Sequence, residues 1–278
     1  SMQLKQLEDN AGLPLFERLG RGVALTQAGE LLVHHALRIL GEIKDAEANL
    51  QALLGAEVGQ ISVGLVSTAK YFMPRLLAQF SHAHPGIEVQ FTVGNRETLL
   101  QKLQDNAIDL AVMGRIPVEI DAHAEPMASH PYVLIGPADH PLRDERRFDL
   151  QELRHETFLL REEGSGSRRV AEEMFKNHLF TPARTISMGS NETIKQAVMA
   201  GMGISLISLH TLPLELKTAE VSLLDAIGTP IERTWYVVHM NSKRLLPAGQ
   251  KFRSFLLDQA AIGLEKEFGR YLILRTAH

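Results

Sequence analysis

The chain has 278 residues, with 29 Lys and Arg against 33 Asp and Glu and a formal net charge of −4. With 45% hydrophobic and 22% charged residues it has the balance of a folded globular protein and the length of two or three domains, which excludes disorder and fibrous architecture as its main character. It has no cysteine, which excludes disulfide frameworks, thiolate metal sites and thiol nucleophiles, and its balanced charge gives no general attraction to nucleic acid or membrane. No stretch approaches the ~20 apolar residues of a membrane span. The opening SMQLKQLEDN lacks the basic-then-apolar pattern of a secretory signal, so a cytoplasmic location and no membrane partner are expected.

Residues 1–26 predict a short helix ending near Gly12, carrying Leu4 and Leu7, with Leu13 and Phe16 beyond it, then a small hairpin over 18–25 with glycines at its tip. Thr26 is a good N-cap for a proline-free run from Gln27 to Leu54. Along it Leu32, Ala36, Ile39, Ile43, Ala46, Leu50 and Leu53 alternate spacings of four and three, a heptad seam that predicts pairing with a second copy of the chain. An ordinary amphipathic helix packed on its own domain is the alternative. Residues 27–55 are therefore read as a dimerising linker helix and 56–60 as a hinge.

From Gln60 onward strand and helix patterns alternate, which predicts an α/β fold with mostly parallel sheets. Strands are expected at 61–66, 87–93, 110–113, 132–135, 157–160, 186–188, 204–207 and 234–240. Helices are expected at 71–82, 96–104, 168–178, 192–200 and 249–261, with a helical turn at 150–153. The length suits two small lobes better than one sheet, divided as 61–130 with 239–278 and as 131–238.

In open α/β sheets ligands sit beyond the carboxyl ends of strands, where helices begin. Four such corners are polar: Ser67–Thr68, Asn95–Thr98, Gly164–Arg168 and Gly189–Thr193. Ser67, Thr68, Asn95, Thr98, Gly166, Ser167 and Asn191 supply hydroxyls, amides and free backbone N–H groups. Lys70, Arg96, Arg115 and Arg168 add positive charge, so a small anionic ligand is expected. Each corner taken singly reads better as a plain helix cap; it is the four together, with Arg and Lys nearby, that point to an anion cleft. No phosphate loop, complete dinucleotide fingerprint, nucleophile elbow or HExxH motif occurs, so no catalysis, cofactor or metal is expected. The adjacent His34–His35 and the spaced His82 and His84 read as surface pairs rather than ligands.

Several of these motifs carry a resemblance. SMQLKQLE followed by GLPLFER and LTQAG, together with HPGI, DLAV and GMGISL farther on, resembles the LysR-type transcriptional regulators over nearly the whole chain. STAKYF, GNRETLL, LQDNAID, ELRHETFLLR and GSNETIKQ are similar to the branch that regulates the RuBisCO, or Calvin cycle, operon. The resemblance implies a winged helix-turn-helix, of which 1–26 would be the recognition helix and wing. It implies a linker helix and a two-lobed effector domain like the type 2 periplasmic binding proteins. It also implies double-stranded DNA as a partner of the full-length protein, a homo-oligomer, dimer or tetramer, and a phosphorylated or nicotinamide-nucleotide effector. Roughly thirty residues of a complete winged helix-turn-helix would precede Ser1. Ser1, Met2 and Gln3 would face the major groove, while Lys5, Arg18 and Arg21 would hold phosphates. A solute-binding protein for a small anion, without a DNA-binding role, is the alternative; it leaves the heptad helix and hairpin unexplained.

Overall fold

The computed structural model describes residues 2–20, 22–53 and 58–276. Helix α1 (Met2–Ala11) is followed by a hairpin of β1 (Phe16–Leu19) and β2 (Gly22–Leu25), paired from Phe16↔Leu25 to Leu19↔Gly22. The Glu8 carboxylate ties helix to hairpin by accepting the amides of Leu15 and Phe16 at 2.8 and 3.1 Å. Helix α2 (Gln27–Leu53) starts under its expected cap, with Thr26 Oγ1 accepting the Gly29 amide at 3.1 Å. A Cβ at Gly29 would lie 2.1 Å from the Leu15 carbonyl oxygen, so the hairpin can seat on α2 only where that residue has no side chain.

The heptad seam of α2 faces away from the rest of the chain. Leu32 and Ala36 are half-buried, but Ile39, Ile43 and Leu50 are 61%, 53% and 63% exposed and Ala46 is exposed. The side chain of Leu53 and the first two residues of the expected hinge, 56 and 57, lie outside the described residues. The opposite face docks: His34 Nδ1 lies 2.5 Å from Asp105 Oδ1, and Gly41 sits against Asn106. Residues two apart on a helix are about 200° apart around its axis, which puts 34 and 41 opposite 32 and 39.

The remainder is two lobes sharing strands. In the first, β3 (Gly59–Val66) lies between parallel neighbours β4 (Ile87–Gly94) and β5 (Leu110–Met113). Helix α3 (Met73–Ala83), after a 3-10 turn at Ala69–Tyr71, and α4 (Arg96–Gln104) follow β3 and β4. Strand β6 (Ala122–Pro137) then crosses into the second lobe, and β12 (Ile231–Met240) returns beside it, antiparallel. Residues 236–238 of β12, which the expected 238/239 division assigns to the second lobe, pair with β5 of the first.

The second lobe adds β7 (Arg146–Phe148), β8 (Thr157–Arg161), helix α5 (Gly166–Asn177), β9 (Arg184–Met188), α6 (Asn191–Met199), β10 (Ser205–Ser208), α7 (Pro213–Thr218) and β11 (Val221–Ala226). Strand β6 pairs antiparallel with β10 and β11 as well as β12, so the sheets are mixed rather than mostly parallel. Strand β6 is far longer than the four residues expected at 132–135. Its Pro126 is accommodated at a register shift opposite Trp235 and Tyr236, where a lost N–H costs no ladder bond. Helix α8 (Pro247–Thr276) closes the chain, and Phe252, Leu256, Ala260, Leu264 and Phe268 bury one stripe of it. Phe252 meets Phe80 of α3 edge-on at 4.8 Å. At the crossing, Trp235 is fully buried, stacked on His130 at 3.8 Å, and donates its indole N–H to His210 Nδ1 at 2.9 Å.

Candidate functional site

The parallel strands β4, β3 and β5 end on one edge of the first lobe. Val66 pairs with Gly94 and Leu65 with Val112, so Ser67–Thr68, Asn95–Thr98 and Arg115 leave that edge side by side. Thr68 is buried and Ser67 half-buried. Asn95 acts as the N-cap of α4, its Oδ1 accepting the Thr98 amide at 2.8 Å, and Thr98 itself is exposed. Arg96 and Arg115 converge on one carboxylate, Glu119, at 2.6 and 3.0 Å. The hydrogen bond from Arg96 is the main reason the Glu119 carboxyl sits below its ordinary range. Two guanidiniums share this one carboxylate, so the trio carries a net positive charge.

In the second lobe β8 ends on Arg161, which is buried at 7% exposure. Its guanidinium takes the Glu162 carboxylate through Nε and one terminal nitrogen at 2.7 Å each, and donates from the other to Asn191 Oδ1 at 2.7 Å. Three of its five N–H groups are thus used and two remain. Asn191, the first residue of α6, is 2% exposed, and its Nδ2 has no hydrogen-bond partner among the described residues. A buried amide N–H without an acceptor costs ~1–3 kcal/mol, which a ligand oxygen would recover. Ser167, in the first turn of α5, is also buried; burial raises the Tyr132 phenol to about 12, against the opposing influence of the Ser167 hydroxyl and of nearby Arg233 and Arg161. Gly166 opens α5 and is exposed. Arg168 turns back to the Arg161 carbonyl at 3.3 Å and to Glu172 at 2.7 Å.

A clasp joins the lobes. Lys70 and Tyr71, on the turn after β3, both reach Glu192 in the first turn of α6, at 2.8 and 2.6 Å. Burial would raise the Glu192 carboxyl, but hydrogen bonds from Lys70 and Tyr71 outweigh it and hold it down at about 2. Burial, then the hydrogen bond to Glu192, pushes the Tyr71 phenol well above its usual range, although the Asn191 amide beside it works the other way. Behind the clasp, Lys195 pairs with Glu215 at 2.7 Å, donates to the Thr211 carbonyl at 3.1 Å and lies over the Tyr71 ring at 4.7 Å.

The structure links Lys70, through Glu192, to the start of α6 where Asn191 stands, and joins Asn191 and Arg168 through Arg161, while Ser67, Thr68 and Asn95 lie on the first-lobe edge. Arg96, Arg115 and Thr98 lie on the same edge. Each of the four basic residues singled out from the sequence already has a carboxylate partner. Beside them stand Arg161, Tyr71 and Glu192, with Tyr132 buried nearby, none of which sequence reasoning selected. Arg161 ends an apolar run, the one signal that could have found it, because a charge at a strand's carboxyl end belongs to the ligand edge. At the front of the chain Met2, Gln3 and Lys5 are exposed on α1 and Arg18 is exposed on β1; Ser1 and Arg21 lie outside the described residues. Helix α1 has no buried residue, so one entire helical surface is open.

The comparisons follow the same division. A family model for the LysR substrate binding domain matches residues 55–261, and one for the bacterial regulatory helix-turn-helix protein, lysR family, matches residues 1–30. The HTH-type transcriptional regulator CfxR of Cupriavidus necator is 62% identical over 97% of this chain and 85% of its own length. The RuBisCO operon transcriptional regulator of Allochromatium vinosum is 44% identical over 94% of this chain and 86% of its own. Among solved structures, the CcmR regulatory domain of Synechocystis PCC6803 in complex with 2-PG is 39% identical with a TM-score of 0.68, covering 72% of this chain and 96% of that one. A full-length OxyR variant of Pseudomonas aeruginosa shares the fold, with a TM-score of 0.70 at 23% identity over 92% of this chain and 83% of that one. The chain belongs to the LysR family of bacterial helix-turn-helix transcriptional regulators.

Proposed function

We propose that this chain regulates transcription of a CO2-fixation (RuBisCO) operon from the cytoplasm, as a DNA-binding homo-oligomer that acts by binding a small anionic metabolite rather than by catalysis. The close relatives that carry RuBisCO operon regulation in their names support the target. The effector reading rests on the buried, unpartnered Asn191 amide beside the two unused N–H groups of Arg161, at the N-terminus of α6. A phosphate or carboxylate there would accept from both and from the hydroxyls of Thr68, Ser167 and Tyr132. The 2-PG complex of the CcmR domain puts 2-PG among the effectors to test, beside sugar phosphates, phosphoenolpyruvate, NADPH and small carboxylates.

In this reading residues 1–26 are the recognition helix and wing, with Met2 and Gln3 toward base edges and Lys5 and Arg18 on phosphates. Residues 27–55 dimerise through the outward seam, 56–60 act as hinge, and 61–130 with 239–278 and 131–238 are the two effector lobes. An effector can shift the DNA-bound arrangement only by binding one lobe arrangement better than the other. The Lys70–Tyr71–Glu192 clasp lies where such a difference arises, because an anion beside Glu192 competes for its donors, the Lys70 ammonium and the Tyr71 hydroxyl. Thermal-shift screening of the chain against those anions tests this. A ligand at a hundred times its Kd adds ~2.7 kcal/mol of stability, and Asn191→Leu removes the shift. Unchanged melting with every anion, or an undiminished shift in Asn191→Leu, overturns the site.

A further inference from the structure

Away from the gap between the lobes, the outer end of the shared strands gathers a second set of ligating groups. His123 of β6 stands directly opposite His239 of β12, and Glu125 lies two residues along β6, opposite Val237. Alternation along a strand puts 123 and 125 on one face, and direct cross-strand pairing puts 239 on that face too. One ligand atom from each of the three side chains lies within 4.8 Å of the other two, with His123 Nε2 3.7 Å from a Glu125 oxygen. The two imidazoles are 5.3 Å apart between centroids. His239 Nδ1 is 3.1 Å from the Met240 carbonyl oxygen, to which it can only donate. That bond places the proton on Nδ1 and leaves Nε2 as a bare lone pair, the second-sphere device that orients metal-bound histidines.

We propose that His123, Glu125 and His239 bind one divalent transition-metal ion of the Zn2+ class. Two imidazoles and a carboxylate suit Zn2+, Ni2+ or Cu2+ and not Mg2+ or Ca2+, which need all-oxygen sets. Ligand atoms around a tetrahedral Zn2+ are about 3.3 Å apart, so the three side chains close by about 1.5 Å at most, within the reach of small χ rotations on a fixed strand pair. His123 is half-exposed and leaves an approach from solvent, so water would fill the remaining positions. The opposing group is Arg253 of α8, whose guanidinium forks onto both oxygens of Glu125. A carboxylate has about four acceptor positions, enough for the fork and an ion together, but the arginine charge weakens ion binding. The site is about 25–30 Å along β6 from Tyr132, outside the effector gap, so it stands independently of the proposed effector.

Calorimetric titration of Zn2+ into the chain tests the proposal. One ion per chain is expected. Affinity should drop at least tenfold in each of His123→Gln and His239→Gln, vanish in the double variant, stay unchanged in Asn191→Leu, and not be competed by Mg2+. Arg253→Gln should bind more tightly than the parent, an outcome that damage to the fold would not produce. Co2+ added to the unaltered chain should give visible d–d absorption that Zn2+ displaces. Absence of saturable binding, or a double variant that binds as the parent does through His34–His35 or His82 and His84, overturns it.

Discussion

Replacing Glu215 by leucine leaves the Lys195 ammonium beneath the effector gap without its counter-charge. The pair is 2.7 Å apart with side chains only 8% and 10% exposed, and Glu215 Oε2 has no partner among the described residues. A buried ion pair stripped of one member costs ~3–5 kcal/mol, whereas replacing both by apolar groups of similar volume is near neutral. Glu215→Leu and Lys195→Met should therefore each destabilise by ~3–5 kcal/mol, and the double variant should return to within ~1 kcal/mol of the parent. The remaining Lys195 partners, the Thr211 carbonyl and the Tyr71 ring, are too weak to hold an ammonium alone. Urea denaturation followed by tryptophan fluorescence measures all three variants, because the chain's one tryptophan, Trp235, is buried at the junction of the lobes and reports its opening. Single losses that simply sum in the double variant would contradict a coupled buried pair.

His210 accepts the Trp235 indole N–H, and burial holds its pKa down at about 3 from 6.5, so only the unfolded chain binds this proton between those values. Stability should fall as pH drops below about 6.5, by ~1.4 kcal/mol per pH unit for this one group; urea midpoints at neutral and mildly acidic pH check it, and His210→Gln should flatten the slope. A Cβ at Gly203 would lie 2.2 Å from the Thr157 carbonyl oxygen, so Gly203→Ala should cost ~2 kcal/mol or more by forcing β8 from the start of β10; a melting temperature indistinguishable from the parent's would contradict it. Glu192→Gln removes a carboxylate held at about 2 by Lys70 and Tyr71, so at neutral pH it should tighten anion binding up to about fivefold, as calorimetry would register; weaker binding would place Glu192 among the groups that position the effector.

Local signals made much of the fold legible. Thr26 capping, the absence of proline and the four-three spacing set out α2, and strand ends followed by Ser, Thr and Asn marked the corners at Thr68, Asn95, Ser167 and Asn191. Strand β6 was legible only as 132–135, because Pro126 and Pro131 demote a run that the lobe crossing nevertheless extends. The three-residue β7 carries too little pattern to separate it from loop. Arg161, Tyr132 and the trio of His123, Glu125 and His239 depend on cross-strand register and lobe crossing, which no spacing within one segment encodes. The charge pairing of Arg115 and Arg168 escaped because a carboxylate four residues away is visible in sequence but its direction is not, and Arg96 meets Glu119 only through the fold, 23 residues along the chain.

In the regulator proposed, one chain couples anion binding to DNA binding. The coupling is read most directly from the calorimetric affinity of the effector found by screening, measured with and without promoter DNA from a CO2-fixation operon. Linkage requires the DNA to change effector affinity by the same factor by which the effector changes DNA affinity, typically about 5–150-fold. Matching factors are the predicted result, lost together in Asn191→Leu; identical effector affinity in the two conditions would contradict the coupling.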